Sequence, residues 1–221
     1  MSAGIQKRVY VQYGCGLCAP ADWLNFDASA RLRLERMPLS RTLVRQTVGT
    51  LFPQNVLPGD IVYGLPVRDN SAAAVYSSHC LEHLPRSDVP KALNNTFRML
   101  KGGGIFRLIV PDLQWRAVRY VAALENGSMP ADDFLASCHL GQRVRPKTWA
   151  NYILDRYKRS DHLWMYDFPT FKELLEAAGF SSVRRCQFGD AADPRFAQVE
   201  DVNRFVDHGH DELAIEAIKT A

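Results

Sequence analysis

Apolar residues in the first half of this chain come in short runs, each stopped by a residue type that ligand sites use. Val9-Tyr10-Val11-Gln12-Tyr13 runs into Gly14-Cys15-Gly16. Trp23 to Phe26 ends on Asp27, and Asn55 to Ile61 passes through Gly59 and Asp60. A fourth strand is expected at Ala73 to Ser77, after the turn signal Asp69-Asn70-Ser71. Ile105 to Val110 reads as a fifth, stopped by Pro111, with a sixth at Val183 to Phe188 and a seventh at Leu213 to Ile218.

Helical spacing alternates with these runs. Val44, Val48, Leu51 and Phe52 share one face after Ser40. Val89, Leu93, Phe97 and Leu100 share another, with Ser87 as N-cap and Gly102-Gly103-Gly104 as the stop. A capping box, Thr170-x-x-Glu173, opens the stripe Phe171, Leu174, Leu175, Ala178, which Gly179 closes. Residues 113–160 read as two or three helices with no strand between them. The pattern predicts an α/β fold: a Rossmann-like, mostly parallel sheet of about seven strands with helices on both faces. Residues 1–221 are expected to form one domain, with 113–160 as a helical insertion or lid after strand five. Only ten residues, 17 to 26, separate Gly16 from Asp27 and Pro20 is among them, so the crossover helix there must shrink to a loop.

Composition narrows the class. The chain has 221 residues, 47% hydrophobic and 23% charged, which suits a globular domain with a proper core. A net charge of +3 is too mild to argue for nucleic acid. No apolar run is long enough to span a membrane. Five cysteines without a dense framework fit reduced thiols and a cytoplasmic location. Cys15-x-x-Cys18 invites a metal reading, with His79 and Cys80 as partners, but no second Cys-x-x-Cys or paired-histidine motif completes a tetrahedral set. No metal is expected.

A Gly-x-Gly turn followed by carboxylates at the ends of the next two strands is how an open α/β sheet builds a nucleoside pocket. The glycines let backbone approach the ligand, and a carboxylate can accept both ribose hydroxyls. The ordered set resembles class I S-adenosylmethionine-dependent methyltransferases, and a subgroup of predicted small-molecule methyltransferases among them. The residues that carry the likeness are Gly14-Cys15-Gly16, Asp27, Gly59-Asp60, Leu65-Pro66, Ser78 to His83, Arg98 to Gly104, Leu108 to Asp112, His162 to Asp167 and Glu176 to Phe180.

The resemblance implies roles. Gly14, Cys15 and Gly16 would lie under the methionine part of S-adenosylmethionine, whose product is S-adenosylhomocysteine. Asp27 would take the ribose hydroxyls, and Asp60 with the Ile61 backbone would face the adenine. Ser77 to His79 would lie near the methyl group. His79 and His162 are the candidate bases for a hydroxyl acceptor, and both also read as packing histidines. Leu17-Cys18-Ala19 stand where the family has its third glycine.

The segment 113–160 carries eight basic and four acidic residues, with Trp115, Tyr120, Trp149, Tyr152 and Tyr157 between them. This fits a solvated helix face, or a cationic lid for an anionic small-molecule or glycan-precursor acceptor. Two other functions share the pattern. A nicotinamide oxidoreductase needs a third glycine and an acid about 20 residues on, and both are lacking. A non-catalytic cofactor-binding or regulatory module could keep the same fold. The methylated atom and the oligomeric state are not encoded in any recognisable motif.

Overall fold

Strand β1 (Val9–Tyr13) alternates between two buried faces, which sets the layering of the molecule. The computed structural model describes residues 8–37, 50–127, 131–141, 148, 161–207 and 209–220. β1 pairs in parallel with β2 (Leu24–Asp27) and β4 (Ala72–Ser78), and β2 pairs with β3 (Val56–Pro58). β4 pairs in parallel with β5 (Leu100–Pro111). The long β8 (His210–Lys219) runs antiparallel between β5 and β6 (Phe180–Arg185). The strand order is therefore 3-2-1-4-5-8-6, with the two-residue β7 (Val206–Asp207) paired to β8.

Helices cover both faces. Helix α1 (Ala30–Arg36), capped by Ser29, buries Leu32 against Val56 on one face. α2 (Val89–Met99) and α5 (Phe168–Ala177) bury Leu93 and Phe171 on the other, against Val11, Val75 and Phe106. α3 (Leu113–Glu125) and α4 (Ala131–Ser137) pack on each other beyond the end of β5. Residues 128–130, 142–147 and 149–160 of the expected 113–160 insertion, and the helix expected around Val44 and Val48, lie outside the described residues.

The reduced crossover is present: residues 17–23 are turns, with Cys18 donating to the Cys15 carbonyl and Trp23 to that of Pro20. The sheet face left bare is covered from elsewhere in the chain. Phe196, Val199 and Phe205, in short 3-10 turns between β6 and β8, pack on Tyr10, Trp23, Tyr76 and Ile109. Arg107 of β5 is fully buried beneath this excursion and pairs with Glu200, Asp190 (3.1 Å) and Glu216 (3.3 Å).

Several local expectations need correction. Asp88, not Ser87, is the N-cap of α2. Gly102 to Gly104 do not end that helix; it stops at Met99, and the glycines begin β5. A Cβ on Gly104 would come within 2.8 Å of the Lys101 carbonyl oxygen and 3.1 Å of that of Ala72, so glycine serves close strand approach. Asp167, not Thr170, caps α5, accepting from the Thr170 amide at 3.0 Å. β3 stops at Pro58 because Gly59-Asp60 turns the chain, and β6 starts at Phe180, directly after Gly179 with its φ of +99°.

Candidate functional site

The carboxyl end of β1 turns through Gly14 and Gly16, with φ of +65° and +54°. This left-handed backbone suits glycine, and at Gly14 space forbids anything else: a Cβ there would lie 2.8 Å from Cys80 Cβ. Asp27, at the end of β2, ties the turn down. Its Oδ2 accepts from the Gly16 amide at 3.0 Å and its Oδ1 from Ser29 at 2.8 Å. Each oxygen keeps a second lone pair, so the carboxylate retains capacity for two further donors.

Asp60 sits in the turn after β3, its Oδ1 accepting from the Val62 amide at 2.9 Å. Asn95 of α2 fixes that turn by donating to the carbonyls of Ile61 and Val62. Asp27 pairs in register with Pro58, so the β2 and β3 ends with their carboxylates are neighbours.

Beyond β4 the chain is strained at His79, with φ of +50°. Its amide donates to the Ile109 carbonyl, and Nε2 donates to the carbonyl of Arg204 at 3.1 Å. Nδ1 lies 3.4 Å from Glu82 Oε1. Burial disfavours the charged ring, but Glu82 outweighs it and raises the His79 pKa above the ordinary histidine value. The buried hydroxyls of Ser77 and Ser78 have no partner among the described residues.

A cavity of about 490 Å³ opens at the glycine turn. Gly14, Cys15, Gly16 and Cys18 form one wall, with Gln12, Tyr76 and Ser78 behind them. Val199, Glu200, Asp201 and Arg204, from the excursion between β6 and β8, form the facing wall. The structure therefore brings the glycine turn and the end of β4 onto one cavity, with Asp27 directly behind the turn. Asp27, Asp60, Ile61, Ser77, His79 and His162 are not among the lining residues.

His162 is buried, with Nδ1 donating to the Cys138 carbonyl at 2.8 Å. Burial pushes its pKa down to about 4, so the ring is neutral at ordinary pH. Sequence reasoning missed Arg204 and the whole facing wall. The only signal was the scattered set Phe196, Val199 and Phe205, which follows neither a helical nor a strand period.

Residues 11–108, from β1 through most of β5, match the family model for a methyltransferase domain. No curated protein matches the chain. Among solved structures, the chain is similar to an S-adenosylmethionine-dependent methyltransferase from Thermotoga maritima at 16% identity, over 96% of this chain and 82% of that one, with a TM-score of 0.49. An S-adenosylmethionine-dependent methyltransferase from Archaeoglobus fulgidus gives 16% identity, coverages of 96% and 86%, and the same TM-score of 0.49. Phosphoethanolamine N-methyltransferase 2 from Haemonchus contortus, solved with S-adenosyl-L-methionine, gives 13% identity over 97% of this chain and 49% of that one, with a TM-score of 0.49.

Proposed function

We propose that this chain is a class I S-adenosylmethionine-dependent methyltransferase, that it holds its cofactor between the glycine turn and residues 199–204, and that it methylates an anionic small molecule or glycan precursor. The observation that carries the site is the cavity itself. Its volume, about 490 Å³, lies within the range of roughly 300–1,000 Å³ usual for small-molecule sites. Two residues lining it, Tyr76 and Ser78, carry buried hydroxyls without partners among the described residues, so the wall has polar capacity to offer a ligand. Gly16 faces open space, with nothing within 4 Å of where a Cβ would stand, so its backbone is accessible to a ligand.

Gly14 to Gly16 would cradle the methionine part, and Asp27 would use its remaining lone pairs on the ribose hydroxyls. Asp60 and the Ile61 backbone would flank the adenine. The guanidinium of Arg204 would take the amino-acid carboxylate. The bound cofactor supplies a methyl group already activated on a sulfonium. The protein's task is then alignment and exclusion of water, which can contribute ~7–11 kcal/mol. Ser77 and His79, at the exit of β4, would line the approach of the acceptor. His79 donates from Nε2 to the Arg204 carbonyl and keeps Nδ1 3.4 Å from Glu82, which raises its pKa against the effect of burial.

Arg119 is the cation we assign to an anionic acceptor. It lines a second, shallower cavity of about 540 Å³ beyond β5 with Trp115 and with Arg185, which is itself paired to Asp112 at 3.1 Å. Arg143 and Arg145, which belong with Arg119 to the expected 113–160 lid, lie outside the described residues. The test is transfer of labelled methyl to a panel of phosphorylated and carboxylated metabolites and glycan precursors. Charge reversal at Arg119 should abolish turnover of the anionic acceptor and leave S-adenosylhomocysteine affinity intact. Unchanged turnover of every acceptor would overturn the acceptor assignment.

A further inference from the structure

Glu82 is fully buried, and neither of its carboxylate oxygens has a hydrogen-bond partner among the described residues. A buried carboxylate in that state is costly unless a cation or a metal compensates it. Around it stand three imidazoles from two separate stretches of chain: His79, with Nδ1 3.4 Å from Oε1 and Nε2 committed to the Arg204 carbonyl, and His83 and His162. His83 Nε2 lies 3.9 Å from Glu82 Oε1, and one ligand atom from each of Glu82, His83 and His162 falls within 4.8 Å of the others. Both histidines are oriented from behind. His83 Nδ1 donates to the Asp161 carbonyl at 3.2 Å and His162 Nδ1 to that of Cys138 at 2.8 Å. Each keeps Nε2 as a lone-pair donor, which is how metal-bound histidines are held.

We propose that Glu82, His83 and His162 form a binding site for a divalent transition metal, with zinc the best match to two imidazoles and one carboxylate. Three protein ligands leave a fourth position for water or an acceptor oxygen. Zinc bonds of about 2.0–2.2 Å require the three side chains to close inward modestly. His83, half-exposed, has room to do so. The metal would also clamp the segment before α5 to the exit of β4, where the Leu163 and Trp164 amides already donate to the Glu82 carbonyl. The site does not use Cys15 or Cys18, and it stands independently of the cofactor cavity.

The test uses the full chain, stripped with a chelator and titrated with zinc alone, then with cobalt. One equivalent of zinc should remain after desalting. The cobalt form should show visible bands of a four-coordinate site without the near-ultraviolet thiolate band that Cys15-x-x-Cys18 would give. His83→Ala, the mildest change, and Glu82→Gln should each weaken zinc binding at least tenfold, whereas His139→Ala should not. S-adenosylhomocysteine binding, measured on the same samples, reports folding and the cofactor site separately. Failure of wild-type protein to retain zinc, with S-adenosylhomocysteine binding intact, would overturn the metal site and leave proton sharing with His79 as the compensation for Glu82. A thiolate band, or zinc retention unchanged in His83→Ala and Glu82→Gln, would overturn it equally.

Discussion

His79 Nε2 donates to the carbonyl oxygen of Arg204 at 3.1 Å, across 125 residues of chain. This bond joins the exit of β4 to the excursion between β6 and β8. The usual crossover helix after β1 is reduced to residues 17–23, so one sheet face needs another cover. The excursion supplies it with Phe196, Val199 and Phe205 and at the same time brings Arg204 to the cavity proposed for the cofactor. Packing and function are thus served by one segment that contains no regular helix.

Asp27 is the proposed acceptor of the ribose hydroxyls. Charge-assisted hydrogen bonds contribute on the order of 1.5–3 kcal/mol each, and about 1.4 kcal/mol is tenfold in affinity. Asp27→Ala should weaken S-adenosylhomocysteine binding at least tenfold by calorimetry, with a cooperative unfolding transition retained. Unchanged affinity would remove Asp27 from the site.

Gly14→Ala should cost about 1–3 kcal/mol of stability, the range for a non-glycine residue in a strained backbone region. Cys80→Ala in that background should recover little. The closest clash is with the Cys80 Cβ, at 2.8 Å, which alanine keeps. Urea denaturation of the two variants measures this, and full recovery in the double variant would contradict it.

Arg107 anchors the excursion from below. Arg107→Met would leave Glu200 buried without its cation, while Glu216 keeps Arg184 at 2.9 Å, a change expected to cost about 3–5 kcal/mol. The loss should be accompanied by faster proteolysis between residues 186 and 205 and by weaker cofactor binding. Stability within about 0.5 kcal/mol of the parent, the range of ordinary surface changes, would show that the network is not what holds the cover.

Cysteine labelling probes the cavity wall directly. Cys18 is exposed and lines the cavity, whereas Cys15 is buried and its thiol is pushed up to about 12, first by burial and then by Asp27. Thiolate, not thiol, is the nucleophile. An alkylating reagent near neutral pH should therefore modify Cys18 first, and saturating S-adenosylhomocysteine should slow that modification. Mass spectrometry of the digested protein reads the site, and no protection at Cys18 would place the cofactor elsewhere.

What could be read from the sequence followed physical locality. β1, β2, β4 and β5 were legible because each is a short apolar run with a sharp stop, and Gly14, Gly16 and Asp27 were legible because they sit at those stops. The reduced crossover followed from chain length alone, with too few residues between Gly16 and Asp27 for a helix and a strand. Gly102 to Gly104 misled because glycine both ends helices and permits close strand approach, and only the neighbouring Ala72 carbonyl decides between them. Asp167 and Thr170 are both good caps, and tertiary packing chose the first. The facing wall of the cavity was illegible because its 3-10 turns have no long-range period. The meeting of Glu82 and His83 with His162 could not be read either, since no local pattern links residues so far apart.

The most direct test of the cofactor site is calorimetric titration of the purified full chain with S-adenosylhomocysteine, with a nicotinamide dinucleotide as control. The account predicts saturable binding of the sulfur nucleoside at one site and none of the dinucleotide. Absence of S-adenosylhomocysteine binding by folded protein, or preferential binding of the dinucleotide, would contradict it.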